Sequence, residues 1–351
     1  MRDVLIAGGG PAGLAAAIRA RQRGLSCAIV EPKPPPIDKA CGEGLMPAAL
    51  ALLDELGVEA PAGHPFVGIR YLDAVRPQLS AEGDFAQPGR GVRRTELYER
   101  LHRRAVELDV ERIEGCIERV EQHPGHVEAD GEKARYLIGA DGLHSHVRRE
   151  VGIEAHTGED PRFGVRRHYE VSPWADRVEV YWSPRGEAYV TPVDDEAVGV
   201  AFLAEGGGRF DDFLPHFPHL AERLDGATPI SEDRGGGPFE HRLERRVAGR
   251  VLLVGDAAGY LDPLTGEGVA LALSTARAAV DALADDAPER YEERYTRLTR
   301  TYWWMTGLLL HVSRRRWLHR PMLELLDRAP HLFDGCLHLL GGVERDDEGI
   351  R

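Results

Sequence analysis

A short apolar run, Val4-Leu5-Ile6-Ala7, gives way to Gly8-Gly9-Gly10-Pro11-Ala12-Gly13 and then to an alanine-rich stretch from Leu14 to Ala20. That order demands a strand, a tight turn and a helix. Gly8 allows the turn, Gly10 lets backbone approach a diphosphate, and Gly13 lets the helix lie against the strand. The N–H groups around Pro11 and Ala12 and the positive end of the helix dipole then face the phosphates. A second apolar strand, Cys27-Ala28-Ile29-Val30, ends at Glu31, 18 residues beyond Gly13 and near the spacing of an acid that binds a ribose hydroxyl pair. The set is a dinucleotide-binding fingerprint, and by itself it does not separate NAD from FAD.

Two downstream stretches make that distinction by resemblance. Arg135-Tyr136-Leu137-Ile138-Gly139-Ala140-Asp141-Gly142-Leu143-His144-Ser145-His146-Val147-Arg148-Arg149 resembles the second signature of the group A (p-hydroxybenzoate hydroxylase-like) flavin monooxygenases and their geranylgeranyl reductase relatives. Val251 to Val269, containing Gly255-Asp256-Ala257-Ala258-Gly259 and Pro263-Leu264-Thr265-Gly266-Glu267-Gly268-Val269, resembles their third. The resemblance covers most of the chain to about residue 285. It implies an FAD-dependent oxidoreductase with a Rossmann-like, glutathione-reductase-type α/β domain, an inserted antiparallel-sheet substrate domain and C-terminal helices.

The residues support that reading physically. Val251 to Val254 is a buried strand that delivers Asp256 to its carboxyl end, where ligands of open α/β sheets bind and where a ribityl or ribose hydroxyl needs an acceptor. Pro263 to Gly268 is too rich in Pro and Gly for a helix, whereas Val269 to Ala284 reads as one. Its N-terminus suits the negative charge that collects at flavin N1 and the C2 carbonyl on reduction. Gly91-Val92-Arg93-Arg94-Thr95 resembles the family's arginine before a helix: Arg94 is assigned to the phosphates with Arg93 as competitor, and Thr95 is the expected cap. Lys39-Ala40-Cys41-Gly42-Glu43-Gly44-Leu45-Met46-Pro47 resembles the Cys-Gly segment of geranylgeranyl reductases beside the flavin, with Pro47 opening a helix. With Asp141 from the second signature, these residues make up the expected cofactor site.

The flavin motifs enclose a different texture. Phe163 to Val171, Arg177 to Trp182, Glu187 to Val193 and Ala197 to Ala204 alternate like strands, and residues 61–90 are expected to join them. Asp211 to Phe217 and Leu220 to Leu224 read as short helices, and Arg234-Gly235-Gly236-Gly237-Pro238 as the crossing back. The expected division is a discontinuous FAD-binding domain (1–60, 91–155, 245–285), a substrate domain (61–90, 156–244) and a helical cap (286–351). In the cap, Tyr291 to Leu310 and Arg315 to Leu326 read as amphipathic helices. Their cluster of Tyr302, Trp303, Trp304, Met305 and Leu308 to Leu310 is taken as a buried face, because aromatics at helical spacing are usually core. The basic run Arg314-Arg315-Arg316 beside Trp317 makes a membrane-surface role the alternative.

Composition bounds the partners. A net charge of −14 argues against nucleic acid, and 42% apolar with 29% charged residues is ordinary globular usage. No apolar run reaches the roughly 18 residues of a membrane span, and the glycine motif follows the start too closely for a signal peptide. Cys27, Cys41, Cys116 and Cys336 lack metal spacing, so no metal is expected and a reducing cytoplasm is the simplest setting.

FAD would supply the redox step, while the protein supplies position, polarity and dryness. Hydroxylation or epoxidation needs oxygen activated in a dry pocket, and alkene reduction needs hydride transfer with oxygen suppressed. No second glycine fingerprint appears, which is compatible with NADPH or NADH as a transient reductant or with a separate reductase. Glu187-Ala188-Tyr189-Val190-Thr191-Pro192 followed by Val198-Gly199 resembles the substrate-side motif of geranylgeranyl reductases, but Glu187 and Thr191 replace expected aromatics. Isoprenoid reduction is thereby disfavoured, and the absence of a WxWxIP segment disfavours halogenation. The expected activity is monooxygenation of a lipophilic aromatic, polyketide or isoprenoid-like molecule, with isoprenoid reduction and flavin binding without turnover as alternatives. No catalytic base stands out. Cys41, Glu43 and Tyr189 are the weak candidates, against small-residue packing, a backbone-bonded loop carboxylate and sheet core respectively; His144, His146 and His168 are assigned ordinary polar roles.

Overall fold

The computed structural model describes residues 1–341. Strands Val251–Leu253, Glu132–Gly139, Arg2–Ala7, Cys27–Val30 and Glu111–Ile113 lie in that spatial order, and each neighbouring pair is parallel. Val251–Leu253, Cys27–Val30 and the carboxyl halves of Arg2–Ala7 and Glu132–Gly139 are apolar without alternation because both faces are covered, and Leu5, Ile6, Leu137, Ile138 and Leu252 are all buried. The covering helix Pro11–Gln22 packs on Gly268–Ala284 through alanines on each, which lets the two backbones approach closely. At the rim of that contact Arg19 donates to both oxygens of Asp281, at 2.9 and 3.0 Å.

The second sheet runs Arg162–Glu170, Ala197–Glu205, Gly186–Pro192, Val178–Ser183, His64–Asp73 and Ser80–Gly91. It is antiparallel except where Val178–Ser183 runs parallel to His64–Asp73. That departure from the expected antiparallel pattern arises because the two strands are joined by a long passage through the first sheet, and parallel neighbours need such a crossover. The strand period of two sorts its side chains. Tyr181, Ala188, Phe202 and Val165 share one face, packed on Phe210, Phe213, Phe217 and Leu220 of the short helical segment 210–223. The opposite face carries Arg162, Arg166, His168, Glu187, Tyr189 and Thr191, all buried, and looks toward the first sheet.

Some local expectations are corrected. Arg93, not Thr95, occupies the capping position of the helix Arg94–Glu107, and no side chain caps it, so Thr95 lies inside the first turn. Within the crossing back, Arg234–Gly236 pairs with Arg162–Glu170 as an edge strand. Pro263–Thr265 forms one 3₁₀ turn, made possible because the Asp262 carboxylate accepts the Leu264 N–H at 3.0 Å. The C-terminal part holds three helices, Arg290–Ser313, Arg316–Arg328 and Pro330–Gly341. The third was not anticipated, and residues 342–351 of the expected cap lie outside the described residues. Among the described residues no helix is long and apolar enough to cross a membrane.

Candidate functional site

The three glycine-bearing stretches converge at the carboxyl ends of the parallel strands. Gly8 has φ +102°, and a Cβ there would lie 2.5 Å from the Ala140 carbonyl oxygen; a Cβ on Gly13 would lie 1.8 Å from that of Gly8. Packing thus requires both glycines. Gly10 differs, because a Cβ there would meet no protein atom within 4 Å, which leaves open space at the N-terminus of Pro11–Gln22. Glu31 reaches this turn, accepting the Gly9 N–H at 2.7 Å and the Lys33 N–H at 2.9 Å. Asp141 sits on the adjacent strand end, where its carboxylate accepts from the Ser145 hydroxyl and the His146 and Val147 N–H groups and so holds its own turn in shape.

Asp256, just past Val251–Leu253, opens onto the same cleft. Asp256 is exposed to that cleft, yet the protein crowded around it raises its pKa against the pull of Lys39 and Arg94. Arg94 is the buried member of the arginine pair, while Arg93 is half-buried. Burial lowers the Arg94 pKa, and its Nη1 has no hydrogen-bond partner. Burial also raises the pKa of the Cys41 thiol, so at neutral pH this is a protonated, weakly nucleophilic sulfur. A Cβ on the neighbouring Gly42 would again meet nothing within 4 Å. An orphaned buried guanidinium nitrogen, a carboxylate open to the cleft and free space beside two glycines suit a diphosphate ligand with hydroxyl groups. FAD fits that donor set.

The loop after Asp256 is held from the C-terminal helices. The Tyr302 hydroxyl accepts the N–H groups of Leu261 and Asp262 at 3.0 and 3.1 Å, and Thr306 pairs with Thr265 at 3.0 Å. Pro263 opens the turn and Gly266, at φ +73°, closes it. Glu267 then occupies the capping position of Gly268–Ala284 without a side-chain capping bond, and Gly268 and Val269 lie in the first turn. The Glu267 carboxyl is 7% exposed, one of its oxygens has no partner, and burial alone pushes its pKa up to about 8.

Two buried polar chains join this loop region to the second sheet. In one, Glu43 Oε2 lies 2.5 Å from His168 Nε2, and Glu43 Oε1 accepts the Arg94 N–H at 2.8 Å. Arg166 donates to Asp38 at 2.7 Å and points another nitrogen at His168 Nδ1, 3.0 Å away. His168 Nδ1 also lies 2.9 Å from the Ser231 hydroxyl, so both ring nitrogens are tied. Glu43 is thus the backbone-bonded loop carboxylate, with a buried histidine added. Thr191 completes the join by donating to the Gly42 carbonyl at 2.7 Å. In the other chain, Arg162 and the Ser313 hydroxyl both donate to Glu187, and Arg162 lies 3.3 Å from Asp262. Burial pushes the Asp262 carboxyl up to about 6, with Arg162 opposing.

Tyr189 donates to the Leu264 carbonyl at 3.2 Å, and Trp182 turns to the same face with its indole N–H unpartnered, whereas Tyr181 belongs to the opposite core. His144 contacts the Gly237 carbonyl, and His146 is exposed. Arg162, Arg166, Asp262, Tyr302 and Thr306 were not foreseen. The available signal was charge on one face of the strand Arg162–Glu170, at Arg162, Arg166 and His168 with Gly164 between them. Far from the site, His123, His126 and Glu128 bring ligand atoms within 4.8 Å of one another at a hairpin tip, a grouping that spacing had not suggested.

Comparison with known proteins agrees with this geometry. Two family models, each described as an FAD binding domain, match residues 3–82 and 97–234. The chain is 31% identical to a 3-amino-4-hydroxybenzoate 2-monooxygenase of Streptomyces cremeus, over 86% of this chain and 84% of that one. It is 29% identical to a menaquinone reductase of Mycolicibacterium smegmatis (86% and 81% covered) and 29% identical to a digeranylgeranylglycerophospholipid reductase of Methanopyrus kandleri (84% and 85%). The solved structure of the flavin-dependent brominase Bmp2 superposes with a TM-score of 0.81 over 100% of this chain and 96% of that one; at 20% identity it shows a shared fold.

Proposed function

Because this chain belongs to the FAD-dependent oxidoreductases related to group A flavin monooxygenases and geranylgeranyl reductases, we propose that it hydroxylates a lipophilic ring compound with polar substituents, drawing electrons from NADPH or NADH or from a separate reductase. The observation that carries this reading is Glu187. It stands where the reductase-like motif would have an aromatic side chain, yet it is fully built in, buried against Arg162 and Ser313 on the face turned to the flavin loop. That face carries Arg162, Arg166, His168, Glu187, Tyr189 and the spare Trp182 N–H, a polar wall better matched to a ring with hydroxyl and amino groups than to a bare isoprenoid chain.

FAD, when bound, supplies electron transfer to oxygen or hydride transfer to substrate. The chain's own part is positional. Gly10 and Arg94 receive the diphosphate, Asp256 accepts a hydroxyl, and the free N–H groups of the Gly268–Ala284 N-terminus offer positive potential. Glu43, fixed by His168, sets the loop 39–44 on which Cys41 sits. Tyr302 and Thr306 hold the opposite loop, and the three C-terminal helices exclude water from above.

A second reading, reduction of an isoprenoid double bond, is favoured by the reductase relatives. Incubation with reduced nicotinamide, aminohydroxybenzoates and polyprenyl quinones, under isotopic dioxygen and then without oxygen, separates the two. Incorporation of one labelled oxygen atom supports hydroxylation. Gain of two hydrogens without oxygen, and no labelled product, replaces it with reduction.

A further inference from the structure

The C-terminal helices form a single layer whose two sides differ. Inward, Leu310, Leu323 and Leu337 are buried against the second sheet. Outward, each helix carries an apolar stripe: Trp304 and Leu308 on the first, Trp317 and Leu325 on the second, Leu332 and Leu339 on the third. Trp317 is 71% exposed and Trp304 63%, far above what a large indole leaves to water without a partner. The helices pack on one another in sequence, and each turns its exposed stripe away from its buried residues.

Charge identifies what meets that surface. From Arg294 to Leu323 there are seven arginines and no Asp or Glu, in a chain whose net charge is −14. Arg314, Arg315, Arg316 and Arg320 flank Trp317, and the exposed Arg315 contacts His311 rather than an acid. Arg294, Arg297, Arg314 and Arg320 do meet carboxylates, at Asp285, Glu293, Glu240 and Glu324, which leaves Arg315 and Arg316 beside Trp317 to supply the positive charge. Tryptophan and leucine among arginines, on helices lying parallel to a surface, match the boundary between anionic headgroups and acyl chains.

We propose that the outer face of the three C-terminal helices is a docking surface for an anionic lipid bilayer, with Trp304 and Trp317 entering the headgroup region. This goes beyond the proposed reaction and does not depend on which chemistry the flavin performs. It also reconciles the two sequence readings of the cap, since the inward side is core while the outward side is interfacial.

The full chain with bound FAD is floated with phosphatidylcholine vesicles, with or without phosphatidylglycerol. Binding to the anionic vesicles is expected to be at least about tenfold tighter, and lost near roughly 0.5 M salt. Trp304→Ala with Trp317→Ala should weaken it about tenfold, and Arg315→Glu with Arg316→Glu should abolish the lipid preference, with flavin content and melting temperature unchanged. Equal binding to both vesicles, or unchanged binding by the variants, overturns the proposal. So does a dimer of the parent chain that dissociates when the tryptophans are replaced, which would make the face a contact between copies. If a variant folds poorly, transfer of tryptophan emission to shorter wavelength in the unaltered chain, on anionic vesicles alone, decides the matter.

Discussion

Glu43 and His168, 125 positions apart, meet with a carboxylate oxygen 2.5 Å from the imidazole Nε2, and neither is more than 3% exposed. Glu43 adopts φ +60°, a backbone state that a non-glycine residue keeps only where its surroundings hold it. Through this pair the loop before the cofactor cleft is fastened to the second sheet. Replacing His168 by Ala leaves a buried carboxylate without its partner and should cost about 3 kcal/mol. Denaturant unfolding measures the loss, and the released loop should make the Cys41 thiol react with a thiol reagent that it resists in the parent.

Arg94 tests the cleft in the opposite sense. Its guanidinium is buried with one nitrogen unpartnered, so Arg94→Met should leave the flavin-free protein as stable as the parent or more so. The same change should weaken FAD binding by roughly tenfold or more. Thermal melting with and without FAD separates the two effects, and a large loss of stability without the flavin would contradict the assignment.

Glu267 gives a pH dependence with a definite sign. Its folded pKa, about 8, lies above its ordinary 4.5. Between those values the folded protein holds a proton that the unfolded chain releases, so stability falls as pH rises through that window. Glu267→Gln should remove this slope, a gain on the order of 4 kcal/mol on the alkaline side. Flavin-free parent and variant unfolding with the same pH profile would count against it.

Phe202 anchors the far side of the second sheet, with its ring centroid 4.7 Å from that of Phe210 and 5.1 Å from that of Phe217. Phe202→Ala should destabilise by about 3 to 5 kcal/mol. Because this core faces away from the cleft, FAD affinity of the folded fraction should not change.

The cofactor half of the molecule was legible in the sequence because it is built from local devices. The Gly8 to Gly13 turn, the acid ending Cys27–Val30 and the alanine-rich Gly268–Ala284 helix each show in a few consecutive residues. Arg94 was chosen over Arg93 by resemblance alone, since the physical distinction rests on which side chain the fold buries. The Glu43–His168 and Arg162–Glu187 chains were out of reach for a related reason. Each joins residues from separate strands or loops, and only the register of the second sheet brings them together. Tyr302 looked like a core residue at helical spacing and Thr306 gave no signal; both are buried, and their hydroxyls hold the loop at Asp262 and Thr265.

The claim on which the rest stands is that the cleft beside Gly10 receives the diphosphate of FAD, and one titration tests it directly. Gly10→Ala places a methyl group where no protein atom lies within 4 Å, whereas Gly13→Ala drives one into the Gly8 carbonyl. Fluorescence titration of flavin-free protein with FAD should show tight binding by the parent. For Gly10→Ala it should show affinity lower by at least about tenfold, with an unchanged melting temperature. A parent that takes up no flavin, or a Gly10→Ala protein that binds it as tightly as the parent, would contradict the account.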